Sequence, residues 1–259
     1  MTTILVDGRA LRLTNLDKVL WPGVGFTKRQ LVEYYAEIAP VLLPHLDGRP
    51  LTVRRFPDGV DGVNWHQNEC RGEPDWFPVF ETHGREGRGL RFCLVDGEAA
   101  LVWLANQAAI ELHPFTWRVE APRVPTQLVF DLDPGSPAGL AATAAVALSL
   151  RDLLSELGLD AYVKGSGAAR RPEEVVTEMR KDLRAGKVYV DWLQNDPTRQ
   201  TIAPYSLRGL PLPTVAAPLT WDEVEQAARS KRDELLVVTV DDVHERLERY
   251  GDLFEPLRH

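Results

Sequence analysis

The run Gln127-Leu-Val-Phe-Asp-Leu-Asp-Pro-Gly135 sets two carboxylates two residues apart inside an otherwise apolar stretch. A strand here turns alternate side chains to opposite faces. Leu128, Phe130 and Leu132 then share one face, which reads as core, while Val129, Asp131 and Asp133 share the other. The Cα atoms of the two aspartates lie roughly 6.5 Å apart, twice the strand rise. Carboxylates so placed can reach one or two divalent cations, which stand about 4 Å apart in two-metal sites. The plainer account is a turn at Asp133-Pro134-Gly135, where Asp and Pro are favoured in the first two positions. That account covers Asp133. It leaves Asp131 as a charge in an apolar run, where an unpaired carboxylate is costly.

Elements must bring these groups to a common place. Residues 3–13 read as a hairpin about Asp7-Gly8. Thr27 can cap a helix over 28–45, with Leu31, Tyr34, Tyr35, Ile38, Val41 and Leu42 at helical spacing and Pro40 kinking or dividing it. Strands are predicted over 51–56, 77–81, 91–95, 109–113 and 115–119, with a helix capped by Asp96 and running through 99–106. After the acidic strand, a helix over 140–157 ends at Gly158. A strand over 161–164 leads into Gly165-Ser166-Gly167, and a polar helix over 173–183 ends near Gly186. The strand over 187–192 places Val188, Val190 and Trp192 on one face and Tyr189 and Asp191 on the other. Extended chain over 201–218 and short helices from about Trp221 and Asp241 complete the chain. Strands and helices mix without strict alternation, which favours an α+β fold or a mixed sheet.

The 259 residues suit one large domain or two modest ones, and 44% hydrophobic with 26% charged residues is ordinary globular composition. No apolar run reaches the length of a membrane span, and the first residues lack the pattern of a signal peptide. Two cysteines, Cys70 and Cys93, make neither a disulfide framework nor a zinc site, which points to a reducing cytoplasm. The net charge of -8 argues against indiscriminate nucleic-acid binding, yet permits a local basic groove beside an acidic metal site.

Five ordered motifs carry a family likeness. They are Thr14-Asn-Leu-Asp-Lys-Val-Leu-Trp-Pro22; Leu101-Val-Trp-Leu-Ala-Asn106 with Glu111-Leu-His-Pro114; Leu128 to Gly135; Lys187-Val-Tyr-Val-Asp-Trp-Leu-Gln-Asn195; and Thr201-Ile-Ala-Pro-Tyr-Ser-Leu-Arg-Gly209. From about residue 10 to its end the chain resembles the polymerase domain of bacterial DNA ligase D, of the archaeo-eukaryotic primase superfamily, which works in non-homologous end joining. The resemblance implies mixed and antiparallel sheets flanked by helices. It implies a single domain over 1–259, with phosphate and template contacts in about 1–120 and the catalytic core in about 121–259.

By that resemblance Asp131, Asp133 and Asp191 hold two divalent cations, Mn2+ or Mg2+, both suited to hard oxygen donors. Alone, Asp191 reads equally well as a satisfied strand-end carboxylate. His113, Ser166 and Arg208 match residues that hold the nucleotide phosphates, and Arg54 and Arg55 a basic pair in the nucleotide and template region. Lys18 and Lys28 match lysines for the 5′-phosphate at a DNA gap or break, a role that suits a compact ammonium. Trp65 and His66 lie where the family carries aromatics that stack on a base.

One departure is large. The family shows Ser-Gly-x-Lys-Gly-x-His after this strand, whereas here Ser166-Gly167 is followed by Ala168, Ala169 and Arg170, and the chain passes at once to Pro172. The second-motif lysine and histidine, and a following strand and helix, are missing from the pattern. Three accounts fit: an excised stretch, a shortened polymerase in which Arg170 or Arg171 replaces the phosphate ligand, or a degenerate member that binds broken ends without extending them.

The expectation is a nucleotidyltransferase that adds ribonucleotides or deoxyribonucleotides to 5′-phosphorylated DNA ends, cytoplasmic and associated with the nucleoid. Ku and an ATP-dependent ligase domain are the partners that the resemblance implies. The rivals are a non-catalytic module that binds the 5′-phosphate end and a metal-dependent phosphoesterase.

Overall fold

The computed structural model describes residues 1–84, 87–135, 137–166 and 187–258. The expected polar helix over 173–183, and Arg170 and Arg171 with it, lie outside the described residues. Strands β1 (Thr2–Val6) and β2 (Arg9–Leu13) form the expected hairpin, closed by Asp7 at φ 49° and Gly8 at φ 72°. A short pair, β3 (Val19–Trp21) with β4 (Phe26–Thr27), leads into helix α1 (Lys28–Leu46). Thr27 and Gln30 complete a reciprocal cap at its start, as the sequence pattern S/T-x-x-E/Q requires.

Pro40 and Pro44 both lie inside α1, which continues through them undivided. Each proline costs the helix one N–H donor. The buried face of Leu31, Tyr34, Tyr35, Ile38, Leu42 and Leu46 holds the helix against the core regardless. Two of those side chains also fix distant segments: Tyr35 Oη donates to the Ile110 carbonyl at 2.7 Å, and Tyr34 Oη to the Tyr205 carbonyl at 2.8 Å.

The main sheet is built on β5 (Leu51–Arg55). One edge of β5 pairs antiparallel with β9 (Ala109–Pro114), and the other with β6 (Trp65–Gln67) and, at Leu51, with β8 (Gly89–Cys93). Beyond β8 lies β7 (Val79–His83). Helix α2 (Glu98–Asn106) packs on α1 between β8 and β9.

Several expectations change here. Asp96 does not cap α2: Gly97 holds the cap position, and Asp7, from the first hairpin, accepts a hydrogen bond from Ala99 N at 3.0 Å. Asp96 instead pairs with Arg9. Residues 115–119 are not a strand, since only Phe115 makes a bridge, to Gln200. Cys70 and Cys93 are joined as a disulfide, because the chain after β6 folds back along β8 and Cys70 N donates to the Arg91 carbonyl at 2.8 Å.

The second half supplies smaller pairs: β10 (Asp131–Pro134) with β12 (Val188–Asp191), β11 (Val163–Gly165) with β14 (Ala217–Leu219), and β13 (Thr214–Val215) with β15 (Val238–Thr239). Helix α3 (Leu140–Glu156) ends as expected, with Gly158 in the left-handed region at φ 73°. Helix α4 (Trp221–Ser230) packs on α3, and α5 (Val240–Tyr250) follows. The acidic strand is shorter than its apolar pattern suggested. It begins only at Asp131, so Leu128 is not core but 60% exposed. No described helix is long and apolar enough to cross a membrane.

Candidate active site

Strand register places the acidic groups. In the antiparallel β10–β12 pair, Asp131 stands directly opposite Asp191, and Asp133 opposite Tyr189. Directly opposed residues share a face, as do residues two apart on one strand. All three aspartates therefore originate on one side of this ribbon. Asp131 and Asp133 line a cavity of about 1110 Å³. Asp191 does not line it: its Oδ1 accepts from Leu193 N at 2.9 Å and caps the single 3-10 turn that follows the strand. Among the described residues, no three acidic, histidine or cysteine side chains are grouped as a metal set. The donor chemistry and the shared face fit hard divalent cations. The Asp191 carboxylate is turned to a structural partner.

Across the cavity, the main sheet presents a second group. Arg54 pairs with Glu111 on one neighbouring strand and with His66 on the other, and Thr52 pairs with His113. Alternation sends Thr52, Arg54, His66, Glu111 and His113 into the cavity. The same rule separates residues that the family pattern grouped. Arg55 and Trp65 oppose each other on the other face, with the Arg55 guanidinium 5.4 Å from the indole centre, and neither lines the cavity. Within the cavity, His66 and His113 stack edge to face at 5.7 Å. Burial, His113 and Arg54 all push the His66 pKa down.

Glu111 is the hub of this wall. Its side chain is 3% exposed, and its Oε2 lies 3.0 Å from His113 Nε2 and 3.8 Å from Arg54 Nη1. Its Oε1 accepts from Gly209 N at 3.0 Å and sits 3.8 Å from Arg208 Nε. Burial alone would raise its pKa, but the His113 hydrogen bond, the Arg208 charge and the Gly209 N–H outweigh it and hold the carboxyl at about 2.

Arg208 reaches this wall because residues 201–209 run along the open edge of β9. Ala203 N donates to the Leu112 carbonyl, and Leu112 N to Ser206 Oγ, both at 2.9 Å. Gly209 is required at the end of that run: a Cβ there would fall 2.1 Å from the Phe56 ring. Ser166 and Lys164 also line the cavity from the end of β11. Burial lowers the Lys164 pKa to about 8, opposed by the charge of Asp131 and aided by that of Arg208.

The two remaining lysines lie elsewhere. Lys18 makes an exposed ion pair with Asp58 at 2.8 Å. Lys28 is 6% exposed, donates from Nζ to the Thr14 carbonyl at 2.8 Å, and is tied to Lys18 by a backbone hydrogen bond. Burial, Arg55 and Lys18 lower its pKa to about 8. Lys18, Lys28 and Arg55 thus form a basic corner separate from the acidic cavity.

Comparison with known proteins decides the family. Residues 27–169 and 168–254 match the family described as LigD, primase-polymerase domain. The chain belongs to that family. It is therefore a polymerase-type nucleotidyltransferase domain of the LigD family, with an α+β fold. It is 39% identical to the multifunctional non-homologous end joining protein LigD of Mycobacterium bovis, over 95% of this chain and 36% of that protein. The bifunctional LigD of Bacillus subtilis is 31% identical over 93% of this chain and 43% of its own length. The chain thus spans about a third of its mycobacterial relatives. Among solved structures, the polymerase domain from Mycobacterium tuberculosis ligase D in complex with DNA superposes with a TM-score of 0.83 at 38% identity, covering 96% of this chain and 98% of that one.

The family match falls into two pieces that meet at residues 168–169. That is where the chain departs from the family's second motif. Two members of the site, Glu111 and Lys164, had no role in the sequence reading. For Glu111 the available signal was its position two residues before His113 in an apolar strand, which puts both on one face.

Proposed function

We propose that this LigD-family domain adds nucleotides, ribonucleotides in preference, to 5′-phosphorylated DNA ends in the bacterial cytoplasm. It works as one unit over 1–259, shortened after Gly167. The observation that carries this reading is that Asp131 and Asp133, on the face of the β10–β12 ribbon that Asp191 shares, line one cavity with the basic wall of Arg54, His113 and Arg208. Nucleotidyl transfer needs that pairing of opposites: an acidic floor for cations and a cationic wall for phosphates. Asp131 and Asp133 would hold the ions, magnesium or manganese, and Asp191 would join them by releasing Leu193 N. When bound, the ions activate the 3′-hydroxyl and neutralise charge on the departing pyrophosphate.

The protein's own residues do the rest. Arg54, His113, Arg208 and Ser166 orient the triphosphate, and Lys164 adds a further cation. His66 supports the incoming base. Lys18 and Lys28 anchor the downstream 5′-phosphate, with Arg55 and Trp65 alongside on the same outer face. The whole protein's partners, Ku and a ligase domain, follow from the relatives' end-joining role.

Primer extension with manganese, nucleoside triphosphates and a 5′-phosphorylated gapped duplex tests this reading. Extension by the wild-type chain, abolished by Asp131→Ala, is the expected result. End binding with no extension by the wild type would instead identify a binding module. Release of nucleotides without added triphosphate would identify a phosphoesterase.

A further inference from the structure

An acid in the wall of a phosphate site is at first sight misplaced, since its charge opposes the ligand's. Glu111, however, is 3% exposed, and both its oxygens are engaged by groups of the wall, Oε2 by His113 and Oε1 by Gly209 N. Three groups that carry or can carry positive charge surround one carboxylate: His113 at 3.0 Å, Arg54 at 3.8 Å and Arg208 at 3.8 Å. Without that carboxylate the two guanidinium groups would stand close together with no counter-charge between them. With it, the cluster stays assembled and still carries a positive excess.

The geometry also leaves donors to spare. The contacts of Arg54 and Arg208 to Glu111 are longer than hydrogen bonds. Arg54 spends Nε and Nη2 on Asn64 Oδ1, which fixes its plane from the other side. Arg208 Nε is a buried donor with no hydrogen-bond partner among the described residues. Buried donors are almost always paired, so an unpaired one on the wall of a cavity marks a place where a ligand oxygen completes the set. Gly209 N, bonded to Glu111 Oε1, pins the backbone that carries Arg208.

We propose that Glu111 is a positioning residue: its carboxylate assembles Arg54, His113 and Arg208 into a pre-formed cradle for the triphosphate of the incoming nucleotide. The inference rests on the nucleotide-site reading above and adds to it the group that holds the cradle together. Pre-organised donors cost no rearrangement when the ligand arrives, and this is the source of their strength.

The test uses Glu111→Gln, which keeps the shape and the Gly209 acceptor but removes the charge. Binding of ATP with manganese is followed by calorimetry, and binding of a 5′-phosphorylated gapped duplex by fluorescence anisotropy. The expected result is at least a ten-fold loss of ATP affinity, with duplex affinity held within three-fold. In extension assays the nucleotide KM rises ten-fold or more while kcat moves less than three-fold. Adding Arg208→Gln to E111Q should cost much less than Arg208→Gln alone, because both act through one cradle. A folded E111Q chain that binds ATP like the wild type overturns the proposal, as do additive losses in the double variant. If E111Q does not fold, Glu111→Asp, which keeps the charge, must fold and bind ATP within ten-fold of the wild type; any other outcome overturns it. Failure of the wild-type chain itself to bind ATP would sink the nucleotide-site reading instead.

Discussion

If Lys28 holds the 5′-phosphate as proposed, binding to DNA ends depends on pH with a definite sign. Burial, Arg55 and Lys18 lower its pKa to about 8. The amine is charged below that value and neutral above it, so its attraction for a 5′-phosphate is present at pH 7 and lost as pH rises to 9. From a pKa of about 8, the charged-to-neutral ratio falls from about 10 at pH 7 to about 0.1 at pH 9. The preference for a 5′-phosphorylated over an unphosphorylated end should therefore drop by roughly ten-fold across that window, since the phosphate is already a dianion throughout. Anisotropy with the two gapped duplexes, at constant ionic strength, measures it. Lys28→Arg stays charged and should flatten the profile. Lys28→Met should lose the preference at every pH. Folding stability moves the other way. Between the folded pKa near 8 and the ordinary lysine value, the unfolded chain binds more protons, so the Lys28 contribution to stability rises with pH there. A fall in binding that tracks a fall in melting temperature, or a preference unchanged from pH 7 to 9, would refute the assignment of Lys28 to the phosphate.

The Cys70–Cys93 disulfide closes a loop across 23 positions, and chain entropy assigns such a loop about 3 kcal/mol. Replacing both cysteines with serine should lower Tm by about 6–12 °C for a chain of this size, read by circular dichroism; superimposable melts would show that the bond does not constrain the unfolded chain. His66 and Trp65, adjacent in sequence, should separate in function. His66→Ala weakens nucleotide binding by the roughly 1–3 kcal/mol of a base stack, whereas Trp65→Ala leaves it within two-fold and weakens binding to gapped DNA. Equal effects of the two on nucleotide KM would contradict the face assignment.

What the chain's residues state on their own is local. Asp7-Gly8 dictates a hairpin turn, Thr27 with Gln30 a helix start, and Gly158 a helix end, because each acts through atoms a few bonds away. The family motifs likewise announce a primase-polymerase domain, and the pattern break after Gly167 is visible in the letters alone. Only the folded chain decides what depends on register and on distant contacts. The strand meant to start at Leu128 starts at Asp131, Asp96 loses its helix to Asp7 some 90 residues away in the chain, and Cys70 finds Cys93. Strand alternation in the paired β5 and β6 parts Arg54 from Arg55 and His66 from Trp65, a division that depends on which face the core takes. Asp191 shares one face of its ribbon with Asp131, yet its carboxylate is committed to Leu193 N, a bond that no motif announces. The role of Glu111 is of the same kind. A buried acid is costly until two arginines and a histidine from three separate segments surround it, and their meeting is a property of the fold, not of any stretch of sequence.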